Sequence, residues 1–358
     1  MAVSILAAVQ RIKAEIADWL APEAIRELCQ TLGYSWRERL LDPVTTLHLF
    51  VLQVMHGNTA CAHVPHLGDV RCTGEAYGQA RGRLPLALFR CLLLLLKDRW
   101  PTTAPEAERW HGHRTFLVDG SSASMPDAPA LQEAYGQPSG QKPGCGFPMM
   151  HLLALFHAAS GFLIQVAAAP WRTHDMSRVG AVHADLAAGD VLVGDRAFCS
   201  FAHRTLLAAR QVLGVFRVHQ KQSVDLRPHR RAATGRGRKR GEKGLPSSRW
   251  LKRLGRHDQL VEYPKPKQRP EWLTAEDYAA LPEAVLVREL RYTIRIPGRR
   301  TRVVTLATTL LDPVKYPAAD VAELYGQQWQ IETNFRHLKQ TLGMDVLRRR
   351  RWKAWKRS

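Results

Sequence analysis

The chain has 358 residues, 45% of them hydrophobic and 23% charged, a balance that excludes a disordered or fibrous protein. Its 52 Lys and Arg residues against 32 Asp and Glu give a formal charge of +20, which indicates a polyanionic partner, with nucleic acid ahead of an anionic membrane surface. The cysteines form no CxxC pair, which argues against a zinc ribbon, and no apolar run predicts a membrane span or signal peptide, so we expect a cytoplasmic protein.

The N-terminal segment, residues 1–105, is predicted to form an all-helical domain. Apolar residues recur at helical spacing in Pro43–Gln53 and Leu84–Lys97, and β-branched runs are rare there. Between these two segments lies a basic stretch with little apolar surface, which predicts a helix that touches DNA. Its candidate DNA-binding side chains are Tyr77, Gln79, Arg81 and Arg83. A solvated helix face is the alternative interpretation of the same pattern.

Beyond the helical domain the pattern changes to apolar runs that are typical of strands. Arg114–Asp119 is a short apolar run that stops at an Asp-Gly-Ser-Ser sequence. Runs at 147–155 and 161–169, joined by Ala-Ala-Ser-Gly, predict a hairpin. Residues 176–188 predict a helix, and Gly189–Asp195 predicts another buried strand that ends on Asp. With one final helix, this order matches a ribonuclease H-like core.

A basic, β-rich insertion is predicted at residues 216–311. Residues 217–257 hold 14 Lys and Arg against 2 Asp and Glu, and a Gly-Arg-rich sequence at their centre predicts a flexible loop. Val285–Ile296 and Thr301–Leu310 are rich in Val, Thr and Ile, which predicts strands. The basic tail, residues 348–358, has no apolar stripe, and we interpret it as a truncated or frameshifted end.

The last predicted helix begins near Ala318 and carries the most informative pattern. At roughly 100° per residue, four polar side chains share one face of this helix with Glu332. They are Tyr325, Gln328, Arg336 and Lys339. An apolar stripe that includes Leu324, Ile331 and Phe335 runs beside that face and is predicted to dock the helix on the sheet.

Three carboxylates fall where such a fold would bring them together. Asp119 and Asp195 each end a predicted buried strand, and the ends of adjacent parallel strands meet at one rim of a sheet. Glu332, on the packed helix, completes the group. Carboxylate oxygens are ligands that Mg²⁺ and Mn²⁺ prefer, and two such ions can activate the attacking oxygen and stabilise the leaving oxygen in phosphoryl transfer to DNA. The sequence therefore predicts a two-metal site.

Each of these residues also has an interpretation without chemistry. Asp119 in an Asp-Gly pair is typical of a turn, Asp195 before an arginine is typical of a surface ion pair, and Glu332 is typical of a solvated helix face. His174 and Asp175 form either an additional functional pair or an ion pair within a loop. The order of the predicted elements favours the metal site.

Three blocks of sequence carry a resemblance to a known family. They are Val118-Asp-Gly-Ser121, Gly189-Asp-Val-Leu-Val-Gly-Asp195-Arg-Ala-Phe198 and Tyr325-x2-Gln328-x3-Glu332-x6-Lys339. Over roughly residues 25–347, the chain resembles bacterial insertion-sequence transposases of the insertion-sequence-four type, which are DDE enzymes with a Tyr-Arg-Glu-Lys motif. The spacing within the third block is the most specific part of this resemblance.

The resemblance implies an α/β fold whose ribonuclease H-like catalytic core, residues 106–215 and 312–347, carries the β-rich insertion and follows the helical DNA-binding domain. It implies cutting of double-stranded DNA at the element ends and strand transfer into a target, by a homodimer in the synaptic complex. The protein would then be associated with the nucleoid. Asp119, Asp195 and Glu332 would hold two Mg²⁺ or Mn²⁺ ions, and Tyr325 and Lys339 would hold phosphates.

The chain departs from the family pattern at one position of the motif and at its C-terminal end. Gln328 stands where the family has Arg, so it can donate a hydrogen bond to a phosphate but brings no charge, and Arg336 on the same predicted face would compensate. Two alternatives remain open at this point. One is an inactive, truncated copy that only binds DNA, and the other is a related ribonuclease H-like DNA nuclease, because a fold alone does not determine its chemistry.

Overall fold

The computed structural model describes residues 20–103, 109–138, 140, 142, 146–233, 245–294, 302–341 and 343. The chain divides into two compact units, which are residues 1–104 with 336–358, and residues 105–335. Helices and a large sheet together confirm the predicted α/β class. The predicted domain boundaries stay predictions, and the basic tail at 348–358 lies outside the described residues.

Helices make up the regular structure described between residues 20 and 103. They are α1 (Pro22–Thr31), α2 (Pro43–Met55), α3 (Val64–Gly68), α4 (Gly74–Arg83) and α5 (Leu86–Thr103). Side-chain caps set two of their starts, because Asp42 Oδ1 accepts a hydrogen bond from Thr45 N at 2.7 Å and Thr73 Oγ1 accepts one from Ala76 N at 3.1 Å. The predicted all-helical domain also includes residues 1–19, which lie outside the described residues.

The second unit is built on a nine-stranded sheet of order β3-β2-β1-β4-β5-β9-β8-β7-β6 in the described residues. Its strands are β1 (Thr115–Ser124), β2 (Met149–His157), β3 (Leu163–Pro170), β4 (Val191–Gly194), β5 (Leu213–Arg217), β6 (Arg249–Gly255), β7 (Asp258–Pro264), β8 (Ala284–Ile294) and β9 (Arg302–Thr308). β1, β4 and β5 run parallel, and the remaining pairs are antiparallel. The predicted hairpin is β2–β3, and the predicted strands of the insertion, β8 and β9, extend the same sheet.

The helices of the second unit are short. They are α6 (Pro129–Tyr135), α7 (Val179–His183), α8 (Phe201–Ala209), α9 (Ala275–Ala280), α10 (Ala318–Gly326) and α11 (Gln328–Arg336). The helix predicted over 176–188 is shorter than expected, since a 3₁₀ turn at Asp175–Arg178 leads into α7 and the helix ends at His183. Among the described helices, none combines the length with the apolar character that a membrane-spanning segment needs.

The prediction of one continuous helix from Ala318 is wrong. The chain breaks between α10 and α11 at Gln327, directly after Gly326, a residue with low helix propensity. Beyond α11 the turn His337–Thr341 is a π-helix. Successive residues of a π-helix are rotated by less than the roughly 100° per residue of an α-helix. The predicted face is thus divided between two helices, yet Tyr325 of α10 and Glu332 of α11 both lie within electrostatic reach of Asp119.

Two buried histidines contact one another between α7 and α8. The Nε2 atoms of His183 and His203 lie 2.9 Å apart, and their rings are parallel to within 3°. His203 Nδ1 lies 2.8 Å from the carbonyl oxygen of Phe198, so it is the donor there and its Nε2 accepts from His183. Burial lowers the pKa of His183 to about 4 and that of His203 to about 3. The pair is therefore neutral in the folded protein.

This pair predicts a loss of stability in acid. Below a pH of about 6.5 the two histidines are protonated in the unfolded chain but stay neutral in the folded protein. The free energy of unfolding therefore falls as the pH drops from about 6.5 towards 4. Denaturant titrations of the full chain should show a steeper fall than the roughly 1.4 kcal/mol per pH unit due to one proton. His203→Gln should flatten this slope, whereas His257→Gln, at an exposed histidine of the same unit, should leave it unchanged. Equal slopes in all three proteins would contradict the prediction.

Candidate active site

The first two carboxylates lie where β1 and β4 separate. The parallel pairing of these strands ends at Val118 opposite Gly194, so Asp119 and Asp195 are the next residue on each. The predicted convergence of two strand-end aspartates is therefore present. The strand itself does not end at Asp119, because β1 stays paired with β2 as far as Ser124. The Asp-Gly sequence consequently lies within a strand and is not a turn.

Backbone N–H groups hold one oxygen of each aspartate. Asp119 Oδ1 accepts a hydrogen bond from Gly120 N at 2.8 Å, and Asp195 Oδ1 accepts one from Ala197 N at 2.7 Å at the start of a 3₁₀ turn. The arginine that follows Asp195 does not pair with it, because its guanidinium donates to Gln220 Oε1 at 3.1 Å. The surface ion pair considered for Asp195 is therefore not the arrangement seen.

Asp119 interacts electrostatically with the other carboxylates of the cluster. Burial raises the pKa of Asp119 to about 7, the Gly120 N–H opposes this shift, and the negative charges of Asp195, Asp175 and Glu332 add to it. Asp119 is thus close enough to each of the other three carboxylates to be repelled by it. A cation placed among them would relieve this repulsion.

Glu332 reaches the cluster from α11, which is docked on the sheet by its buried face. Ile331 is fully buried, and the Phe335 ring meets the Phe156 ring of β2 edge to face at 5.5 Å. Gln328 Nε2 donates a hydrogen bond to the carbonyl oxygen of Val118 at 3.2 Å. The side chain of Glu332 itself is exposed. The apolar stripe predicted for this helix therefore docks it as expected.

The fourth carboxylate, Asp175, belongs to the cluster although the sequence pattern did not favour it. Its Oδ1 lies 3.1 Å from His151 Nε2, so its ion-pair partner is on β2, whereas His174 Nδ1 caps the following turn by accepting from Met176 N. A Cβ at Gly120 would lie 2.6 Å from the same oxygen, so any larger residue there would have to displace the Asp175 carboxylate. Burial raises the pKa of Asp175, and the two histidines oppose that shift.

A tyrosine and an arginine border the cluster. β4 and β5 pair as far as Gly194 opposite Phe216, so Arg217 follows on β5 as Asp195 follows on β4. Burial raises the pKa of Tyr325 well above its usual range, and the charge of Arg217 opposes this shift. The Tyr325 hydroxyl therefore stays protonated, within electrostatic reach of Arg217, Asp195 and Asp119. The sequence pattern predicted Tyr325 and missed Arg217, whose only signal is its place at a strand end.

The predicted DNA-binding residues of α4 divide into two groups. Tyr77 is fully buried, and its hydroxyl donates to Gln53 Oε1 at 2.7 Å, so the prediction that this side chain faces DNA is corrected. Arg81 donates to the same oxygen at 2.6 Å, which ties it to the helical core. Gln79 and Arg83 are exposed, and their contact with DNA stays a prediction.

The last two predicted DNA-binding residues belong to the first compact unit, whereas Glu332 belongs to the second. Arg336 is exposed and Lys339 is half-buried. Their roles as phosphate ligands stay predictions. Within the described ranges, no group of three or more His, Cys, Asp or Glu side chains stands ready to hold a metal ion. The donor set around Asp119 nevertheless consists of carboxylate oxygens, the chemistry that Mg²⁺ and Mn²⁺ prefer.

Comparisons with known proteins agree with these observations. A family model described as "Transposase DDE domain" matches residues 110–356. The transposase InsG for insertion sequence element IS4 of Escherichia coli (strain K12) is 22% identical over 336 residues, which cover 91% of this chain and 68% of that protein.

Solved structures give a weaker likeness. A Mos1 transposase paired-end complex with the left transposon end matches at 12% identity and a TM-score of 0.20, and a pre-cleavage Mos1 transpososome matches at 11% and 0.19. Each match covers 50% of this chain and 59% of the other, and at these scores it carries no argument. The family model spans most of the chain, together with both aspartates and Glu332. The chain therefore belongs to the DDE-domain transposases, in the insertion-sequence-four group.

Proposed function

We propose that this protein binds the terminal inverted repeats of an insertion sequence, cleaves DNA there and transfers the cut strands into a target. The observation that carries the proposal is the convergence of Asp119, Asp195 and Glu332 from β1, β4 and α11. A ribonuclease H-like core is supported by the strand order β3-β2-β1-β4-β5 with parallel β1, β4 and β5. Membership of the family supports cleavage and strand transfer as the class of reaction.

Asp119, Asp195 and Glu332 would hold two divalent ions, Mg²⁺ or Mn²⁺. When bound, such ions activate the attacking oxygen and stabilise the leaving oxygen of a phosphodiester. The protein contributes the orientation of the ligands. The N–H groups of Gly120 and Ala197 hold one oxygen of each aspartate, and no described protein donor contacts the second oxygen, which is left for a ligand.

The residues that border the carboxylates would hold the scissile strand. The protonated Tyr325 hydroxyl can donate to a phosphate oxygen, and Arg217 supplies positive charge beside it. Lys339 and Arg336 are proposed as further phosphate ligands. Fixing the strand in this way would place the phosphodiester in line with the metal ligands, which is the main contribution of protein side chains to phosphoryl transfer.

A groove in the N-terminal unit supplies a surface for the DNA duplex. It has a volume of about 930 Å³ and is lined by α4 and by the segment that precedes α2. Arg37, Arg39 and Arg83 line it, all three are exposed, and none has an acidic partner within the described residues. Asp42, the acidic residue in the lining, caps α2 with its carboxylate. The net positive charge suits a phosphate backbone.

The full chain incubated with duplexes that carry the element ends tests the proposed function. Nicks at the ends and joined target products should form with Mg²⁺ or Mn²⁺ and should disappear with EDTA. Binding without any nick would instead support the inactive DNA-binding copy. Cleavage of branched DNA with no preference for the ends would support a general nuclease.

The same duplexes test the groove through the salt dependence of binding. Arg83→Glu should weaken binding and make the slope of log K against log salt shallower by about one charge or more. Arg90→Glu makes the same change at an exposed position of α5 outside the groove and should leave the slope close to that of the wild type. Equal effects of the two variants would exclude the groove as the binding surface.

A further inference from the structure

Gln328 occupies the position where the family motif has an arginine, but its environment is not that of a phosphate ligand. The side chain is only 9% exposed, whereas Gln330 on the same helix is exposed. Its Nε2 donates to the carbonyl oxygen of Val118, a backbone atom of β1. A group that binds a DNA phosphate must be open to the strand, and this amide is already enclosed and engaged by the protein.

The hydrogen bond of Gln328 connects the two elements that carry the site. Val118 directly precedes Asp119, and Gln328 lies one helical turn before Glu332 on α11. The amide therefore joins β1 to α11 at a point one residue from Asp119 and one helical turn from Glu332. Any slide or rotation of α11 would break this bond and would move Glu332 relative to Asp119.

The amide oxygen of Gln328 also fits a role within the protein. Gln328 Oε1 is buried and has no hydrogen-bond partner in the described structure. A buried oxygen without a hydrogen-bond partner lowers stability, so what favours an amide at this position is its donor, the Nε2 group. A neutral amide can donate to Val118 O without adding charge to the carboxylates, whereas a guanidinium would partly neutralise them.

We propose that Gln328 is a positioning residue that fixes α11 on β1, so that Glu332 is held for metal binding together with Asp119, and that it does not bind DNA. This proposal rests on the proposed function, since it assigns Glu332 to the metal site. It predicts that loss of the amide weakens metal binding in protein free of DNA and leaves DNA affinity unchanged. A phosphate ligand would show the opposite pattern.

The test compares Gln328→Met with Gln330→Met, which makes the same substitution at an exposed position of the same helix. Mn²⁺ binding to the full chain without DNA is measured by electron paramagnetic resonance, and DNA affinity is measured separately by fluorescence anisotropy. Gln328→Met should weaken Mn²⁺ binding about tenfold or more, in the range seen when groups that orient metal ligands are lost. Gln330→Met should match the wild type in both assays.

A double-variant cycle separates positioning from general damage to the fold. If Gln328 acts through Glu332, Gln328→Met should change Mn²⁺ affinity little once Glu332→Gln is present. A variant that merely destabilised the protein would lower the affinity equally in both backgrounds, and this result would overturn the proposal. Weakened DNA binding with unchanged Mn²⁺ affinity would overturn it as well.

The proposed function can fail separately from this inference. If the wild-type chain binds no Mn²⁺ at millimolar concentration, the metal site itself is excluded. If the wild type binds Mn²⁺ and Gln328→Met binds it equally well, only the role of Gln328 is wrong. Thermal melting of each variant confirms that the comparison is made between folded proteins.

Discussion

Replacing Asp119 by Asn is expected to reduce metal-dependent cleavage of element-end DNA by roughly a thousandfold or more, since the ions supply several kcal/mol of transition-state stabilisation. Asp195→Asn and Glu332→Gln should have effects of similar size. Each change keeps the shape of the side chain and removes the negative charge that holds a cation. Asp119→Asn also removes repulsion from the cluster, so the variant should fold at least as stably as the wild type.

The experiment measures cleavage and binding on the same DNA. All three variants should bind the duplex with wild-type affinity, because none of these carboxylates contributes positive charge to the DNA surface. Glu276→Gln is a suitable control, since it removes an exposed carboxylate from α9. Cleavage retained in any one of the three variants would remove that residue from the site.

The second large effect is expected at Arg288, a buried cation on β8. Arg288 is fully buried and donates to both oxygens of Asp258, with Nε distances of 2.9 and 3.0 Å. It also donates to the carbonyl oxygen of Tyr316 at 2.6 Å, in the segment that leads into α10. Arg288→Met should lower the free energy of unfolding by about 3–5 kcal/mol, because it leaves Asp258 buried without a partner.

Denaturant unfolding of three proteins tests the origin of this effect. Arg288→Met combined with Asp258→Leu should recover much of the loss, since two apolar side chains can replace a buried ion pair. Arg249→Met, which breaks the exposed pair with Glu262 in the same sheet, should cost no more than about 1 kcal/mol. A double variant as unstable as Arg288→Met alone would show that the buried charge of Asp258 is not the cause.

The strands were predictable where short apolar runs are buried on both faces, as β4 shows within the segment 189–195. The extent of β1 was not predictable from its own residues. Gly120, Ser121 and Ser122 have little strand preference, and they are strand residues only because β2 continues to pair with them. The break after Gly326 and the π-helical turn likewise depend on how the chain packs.

The approach of Asp119 to Asp195 was predictable because adjacent parallel strands bring their carboxyl ends to the same rim of a sheet. Asp175 and Arg217 were not, since each comes close to Asp119 or Asp195 only through the pairing of distant strands. The prediction for Tyr77 failed for a related reason. The small number of apolar residues in α4 predicts an exposed helix. Gln53 of α2 nevertheless supplies a buried acceptor for the Tyr77 hydroxyl.

The outer strand of the described sheet, β6, carries two features that oppose pairing with the edge of another molecule. A long open edge offers free N–H and C=O groups to the edge of another molecule and so invites aggregation. Lys252 and Arg253 are exposed on β6, and the pairing with β7 shifts register around both residues. The positive charges of Lys252 and Arg253 repel the same edge of a second molecule. The irregular register also prevents regular hydrogen bonding between two such edges. Pairing of β6 with the same strand of a second molecule is thereby disfavoured.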